Sequence, residues 1–184
     1  MKKTKKLLAT TVLSTFLLTG LPSVAMAQNV TVTLPNFPVT LNGIELQPSI
    51  EDYPVIVYNN ITYFPMTYHY ANFLGLSTEW ADNTLTVQKI DTNTKKLRTY
   101  EKKEGNKNKY TAAVSTANVV VNGKTIDNRK EDYPLLVFRD VTYFPLTWRY
   151  AVDEFGWDYS FDEKNGLEIR NKSYIEIYGK SNHY

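Results

Sequence analysis

Two pairs of adjacent carboxylates recur at matching places, Glu51-Asp52 and Glu131-Asp132, each directly ahead of a Tyr-Pro step. Paired acids serve general acid–base chemistry or contribute to a calcium site. Adjacent residues of an extended chain point to opposite sides, however, and no third ligand stands near either pair. Both pairs therefore read as turn-forming, solvated acids. The chain has two histidines, His69 and His183, and no cysteine. No G-x-S-x-G, H-E-x-x-H or glycine-rich phosphate loop occurs. The expectation is a protein that is not an enzyme, with no catalytic residues, no metal ligands and no cofactor.

The remaining chemistry belongs to aromatic residues. Tyr68 and Trp148 stand at equivalent places in two similar stretches, "TYFPMTYHYA" and "TYFPLTWRYA". On a helical wheel Tyr68 falls about 200° from Met66, away from the apolar face. An outward aromatic in both copies offers a flat apolar face with a polar edge, suited to a sugar ring or a protein partner. With their neighbours His69 and Arg149, these are the candidate contact residues. The competing expectation, and the favoured one, is that a curled sheet or the other copy covers this side too.

Compartment and charge follow from the N-terminus. Lys2, Lys3, Lys5 and Lys6 precede the apolar run "LLATTVLSTFLLTGL", and Ala25-Met26-Ala27 supplies a small-x-small cleavage site. This is the pattern of a secretory signal peptide, residues 1–27, cleaved after Ala27. Removing its four lysines from 21 basic and 19 acidic groups leaves 17 against 19, a formal charge of −2. Nothing global points to nucleic acid. No membrane contact is expected once the signal is removed. Without cysteine there is no disulfide and no lipid-anchor cysteine. The lysine-rich start and absent cysteine suit an exported protein of a Gram-positive cell.

The elements that must position the aromatics are duplicated. Residues 39–71 align without gaps to 119–151, with 15 identities in 33 positions. One residue is then inserted, so that Gly75 matches Gly156. Between the copies "EKKEGNKNK" (101–109) carries no apolar residue and reads as a solvated linker or exposed hairpin tip. The predicted organisation is a signal peptide (1–27), a first repeat (28–100), the charged linker (101–109) and a second repeat (110–184).

Within each repeat, alternation in "VTVTL" predicts a half-buried strand. Asn42-Gly43 predicts a tight turn between β-prone runs, and Asn59-Asn60 a second, with Arg139-Asp140 as its weaker counterpart. Pro65 and Pro145 suit the first position of a helix, which Gly75 and Gly156 would end. "LTVQKI", "LEIRN" and "YIEIY" predict further strands, with "KLRTY" as the first repeat's match for the last. The expected fold class is α+β: two tandem repeats, each an antiparallel sheet of about five strands curled around one short helix.

The order "NG…YP…NNITYFPMTYHYANFLGLSTEWADNTLTV" resembles the copper amine oxidase N-terminal-like, or stalk, domain, twice over nearly the whole mature chain. Thr62-Tyr63-Phe64-Pro65-Met66 and Thr142-Tyr143-Phe144-Pro145-Leu146 take the place of that family's T-x-V-P-L element. Phe73-Leu74-Gly75 and Phe155-Gly156 take the helix end, and Thr78–Asp82 the W-D place. Thr67 and Thr147 replace the family's usual arginine, and Asn60 or Asp140 its turn glycine, so the chain reads as a divergent member. The resemblance implies a five-stranded sheet twisted around a helix. It does not imply oxidase activity, since a copper site of that kind needs three histidines and the chain has two.

The function expected is a secreted, non-catalytic structural or binding module at the cell envelope or outside it. Its partner would be a wall polymer or a protein. The alternative is a secreted inhibitor or modulator of an extracellular enzyme.

Overall fold

The computed structural model describes residues 27–90 and 96–179. The signal-peptide reading and His183 lie outside the described residues. The first repeat contributes β1 (Asn29–Thr33), β2 (Val39–Leu41), β3 (Ile44–Glu45), β4 (Ile56–Tyr58), β5 (Ile61–Pro65), helix α1 (Tyr68–Phe73), β6 (Leu76–Ala81) and β7 (Thr84–Lys89). The second contributes β8 (Lys109–Val114), β9 (Asn118–Val121), β10 (Lys124–Ile126), β11 (Leu136–Phe138), β12 (Val141–Pro145), a π-helical segment (Arg149–Glu154), β13 (Asp158–Asp162), β14 (Gly166–Arg170) and helix α2 (Lys172–Tyr178).

These strands do not form the expected α+β pair of tandem sheets, each curled around a helix. The protein is mostly β, and the repeats are interleaved. Six strands close a barrel in the order β1-β4-β5-β12-β11-β8, three from each repeat. Two four-stranded sheets flank it, β10-β9-β7-β6 and β13-β14-β2-β3, and each again mixes the repeats. The joins are equivalent: β7 runs parallel to β9, and β14 parallel to β2.

The registers show why. Across β1 and β8, Thr31 faces Thr111, and across β5 and β12, Phe64 faces Phe144. In both pairs a residue faces its own counterpart in the other repeat. Equivalent strands paired antiparallel about such a midpoint are self-complementary, which is the geometry of a two-fold axis. The duplicated chain thus forms a pseudo-dimer within one polypeptide.

Strand alternation divides the apolar residues into two cores. Val30, Val32, Ile56 and Tyr63 fill the barrel with Ala112, Leu136, Phe138 and Tyr143. On the outer face of the same strands, Phe64 and Phe144 join the larger core with Tyr70, Tyr150, Phe155, Trp157 and residues of both flanking sheets. Trp157 crosses the repeats, packing on Phe64 and Phe155 and donating its indole N–H to the Leu74 carbonyl at 2.9 Å. Where β14 enters beside β2, only glycine fits. Gly166 has φ +73°, and a Cβ there would lie 2.1 Å from the Pro38 carbonyl oxygen.

The asparagine turns lock this arrangement. Asn42 has φ 46° and Asn122 φ 48°, a left-handed conformation that asparagine tolerates. Asn42 donates to the Phe73 carbonyl at the end of α1 and accepts from the Asn171 N–H beyond β14. Asn122 donates to the Glu154 carbonyl and accepts from the Lys89 N–H at the end of β7. Each asparagine therefore ties its own repeat's helix to a strand of the other.

Several local expectations are corrected. Pro65 and Pro145 end strands β5 and β12, and α1 begins only after Thr67, whose hydroxyl accepts from the Tyr70 N–H at 3.3 Å. The inserted residue of the second repeat is absorbed by a wider turn: Phe155 N–H reaches the Tyr150 carbonyl, five residues back. "YIEIY" is helical, not a strand, because Asn171 caps it by accepting from the Tyr174 N–H at 2.9 Å.

The stretch 101–109 is charged but anchored, not a free linker. Lys102 N–H bonds to the Ile50 carbonyl and Asn106 N–H to that of Ser49. The Asn106 amide donates to the Pro48 and Glu51 carbonyls. Arg139 completes the anchor, donating to Asn106 Oδ1 at 2.8 Å and to the Asp52 carbonyl, over the rings of Phe138 and Tyr110. These contacts offset the left-handed backbone of Arg139-Asp140 (φ 51° and 62°), the turn pair that looked weak in sequence.

Candidate functional site

Each aromatic candidate is placed by the other repeat. Met66 N–H bonds to the Thr142 carbonyl at 2.9 Å, and Leu146 N–H to the Thr62 carbonyl at 2.8 Å. These bonds fix where the chain leaves the barrel. Tyr70, Ala71 and Phe73 of α1 then turn inward, which leaves Tyr68 on the outer side. Tyr68 is 66% exposed and Trp148 64% exposed, so the expectation that the protein's own sheet covers them is overturned. Because β5 and β12 run antiparallel, the two rings stand at opposite ends of that strand pair.

Their surroundings differ. Tyr68 packs edge-on to His69 at 5.5 Å, His69 lies 5.4 Å from Tyr100, and Tyr100 packs edge-on to Tyr53 at 6.0 Å. Four rings thus form a band across the first half. Trp148 borders a groove of about 490 Å³ with Val152, Trp157, Tyr159 and Ile175. Arg149 is turned from that groove to Glu131, with Nη1 2.6 Å from Oε2, and its guanidinium lies over the Tyr150 ring at 5.2 Å. The structure therefore joins Tyr68 to His69 and adds Tyr53 and Tyr100, which the sequence did not single out. It leaves Trp148 apart from that band, on the rim of its groove.

The carboxylate pairs also diverge. Glu51 is buried, accepting from the Tyr70 hydroxyl at 2.5 Å and the Gln47 N–H at 2.9 Å. It is not the solvated acid expected. Its counterpart Glu131 is drawn outward by Arg149, and the buried Tyr150 hydroxyl has no hydrogen-bond partner among the described residues. The difference traces to position 69/149, histidine in one copy and arginine in the other.

Burial raises the Glu51 carboxyl above the ordinary glutamate range, against the opposing pull of its two hydrogen bonds. The folded state then holds its proton more tightly than the unfolded chain. Stability from this group is full below the unfolded pKa and is lost as pH rises through the folded one. Glu51→Gln, which cannot ionise, should unfold at higher denaturant than wild type at pH 7.5. At pH 4 the two should unfold together. Urea titrations at both values check this, and an advantage independent of pH would refute it.

Among the described residues, no group of three or more His, Cys, Asp or Glu is placed to hold a metal ion. No helix there is long and apolar enough to cross a membrane. No family model matches the chain, and no curated protein or solved structure does either.

Proposed function

We propose that the protein is a secreted, non-catalytic binding module of the cell envelope or extracellular space that grips a wall polymer through aromatic faces. The observation that carries this reading is the exposure of Tyr68 and Trp148 at equivalent positions of a pseudo-two-fold molecule. Large exposed aromatics cost solubility and make no contribution to a core, so a duplicated pair calls for an external contact. Two rings at opposite ends of one rigid strand pair suit a repeating ligand long enough to touch both. Linked contacts of that kind convert weak single stacking into useful avidity. The likeness to stalk domains is compatible with such a role and is itself part of the proposal.

The test is retention on isolated Gram-positive cell walls. Wild-type mature protein should sediment with the walls. Tyr68→Ala and Trp148→Ala should each weaken retention, and the double variant about tenfold or more, each ring contributing about 0.5–1.5 kcal/mol. Both side chains lie outside the cores, so the variants should keep the wild-type melting temperature. Absence of wild-type retention over a wall-free control would overturn the proposal. Enrichment of an extracellular enzyme on cross-linking in culture supernatant would instead support an inhibitor or modulator.

A further inference from the structure

The pseudo-symmetry exposes a second site, independent of the Tyr68 and Trp148 faces. Trp80 pairs with Leu85, which lies beside Val119 in the parallel join. Phe161 pairs with Leu167, which lies beside Val39. Val39 and Val119 are repeat equivalents, so Trp80 and Phe161 occupy the same place in the two halves. Two residues before each valine stand Phe37 and Ala117.

In one half the Phe37 ring packs edge-on to Phe161, with centroids 5.2 Å apart and planes at 86°. In the other half Ala117 supplies no ring. A groove of about 520 Å³ lies there instead, lined by Met66, Trp80, Leu85, Ala117 and Val141 among others. Trp80 is 56% exposed and Phe161 58%, so the halves differ in the ring contact and the groove rather than in exposure. The groove also carries Glu79 and Asp140, where the other half has Ser160 and Asn60. Neither carboxylate forms an ion pair among the described residues. Strand β6, which bears Glu79 and Trp80, is the outer strand of its sheet, so an incoming chain meets no neighbouring strand on that side.

We propose that this groove receives an aromatic side chain, a phenylalanine with a basic residue beside it, from an extended segment of a partner protein. Phe37 against Phe161 is the internal copy of that contact, since the same scaffold position holds a ring in one half and lacks it in the other. Edge-to-face packing on Trp80 would replace Phe37–Phe161. Glu79 and Asp140 would attract the neighbouring cation, a preference the filled half does not have.

The test uses a synthetic peptide, acetyl-Leu-Pro-Asn-Phe-Pro-Lys-amide, which copies residues 34–38 and puts a lysine in place of Val39, on the phenylalanine's side of an extended chain. Its control has alanine for phenylalanine. Titration calorimetry against the mature protein should show binding of the first and at least tenfold weaker binding of the second. Ala117→Phe, which fills the groove from within, should weaken binding at least tenfold, and so should Trp80→Ala, the second variant should Ala117→Phe misfold. Glu79→Gln/Asp140→Asn should weaken it severalfold in low salt. Tyr68→Ala/Trp148→Ala should bind like wild type, which separates this site from wall binding. Equal affinity for the two peptides, equal affinity of wild type and Trp80→Ala, or no binding would overturn the proposal.

Discussion

Produced separately, residues 28–98 and residues 106–179 should each fail to fold as a monomer, and mixing them should restore the native near-ultraviolet circular dichroism. Each half supplies only three of the six barrel strands. Alone, the first would lose the partners of β1, β5, β2 and β7 together. It would also expose Phe64, Leu41, Val87 and Leu74, which the shared core buries. An edge strand without its ladder leaves unpaired N–H and C=O groups beside an open apolar face. The mixed sample should sediment at the mass of one complete chain. Because Thr31 faces Thr111 and Phe64 faces Phe144, each half also carries a self-complementary edge. At high concentration either half alone should therefore form a weaker homodimer on the same plan. A cooperative unfolding transition from either half as a monomer would refute the interleaved architecture.

What the sequence conveys about this fold is the duplication and much of its local grammar. Fifteen identities in 33 positions, the Asn-Gly turns and the alternation of "VTVTL" all correspond to observed features. Strand alternation tells which residues are buried but not which strand lies alongside. When two repeats carry near-identical strands, pairing within a copy and pairing between copies satisfy the same pattern, and only the self-facing registers decide. For the same reason Pro65 reads equally as the end of a strand or the start of a helix, and the Thr142 carbonyl that holds Met66 resolves it. "YIEIY" alternates like a strand, yet the capping Asn171 is itself held by Asn42 from 129 positions away, a cause no local window contains.

The candidate site was legible in identity and hidden in environment. A helical wheel places Tyr68 and Trp148 off the apolar face of their own helix, but what covers that side depends on the other repeat. Glu51 and Glu131 look alike as sequence, and their fates part through His69 and Arg149, 18 residues on. The Trp80 groove is a still subtler case. Its signal is an alanine at position 117 where the other copy has Phe37, and it acquires meaning only once the parallel joins set Trp80 against Phe161.

Replacing both turn asparagines by alanine should cost about 3–5 kcal/mol of stability. Alanine in the left-handed region is unfavourable by about 1–2 kcal/mol. The Asn42 side chain makes two bonds and that of Asn122 three, the third to the Glu154 carboxylate, and a lost bond costs about 1 kcal/mol. Asn42 is buried, and without it the Asn171 N–H has no acceptor; the Phe73 carbonyl keeps the Asn171 amide as a donor at 3.1 Å. Its replacement should cost about 2–3 kcal/mol on that reckoning. Asn122 is more exposed, water can reach its partners, and about 1–2 kcal/mol is expected. The sites share no partner, so their effects should add. Asn42→Gly and Asn122→Gly separate the two contributions, because glycine adopts the turn without strain yet supplies no amide. If the interlock contributes, Asn42→Gly should still lose about 1 kcal/mol, the part left once the strain is removed. Urea unfolding of the six proteins checks this. Glycine variants as stable as wild type would mean that the asparagines serve the turn alone, and that the cross-repeat bonds to Asn171 and Lys89 add nothing to holding the two halves together.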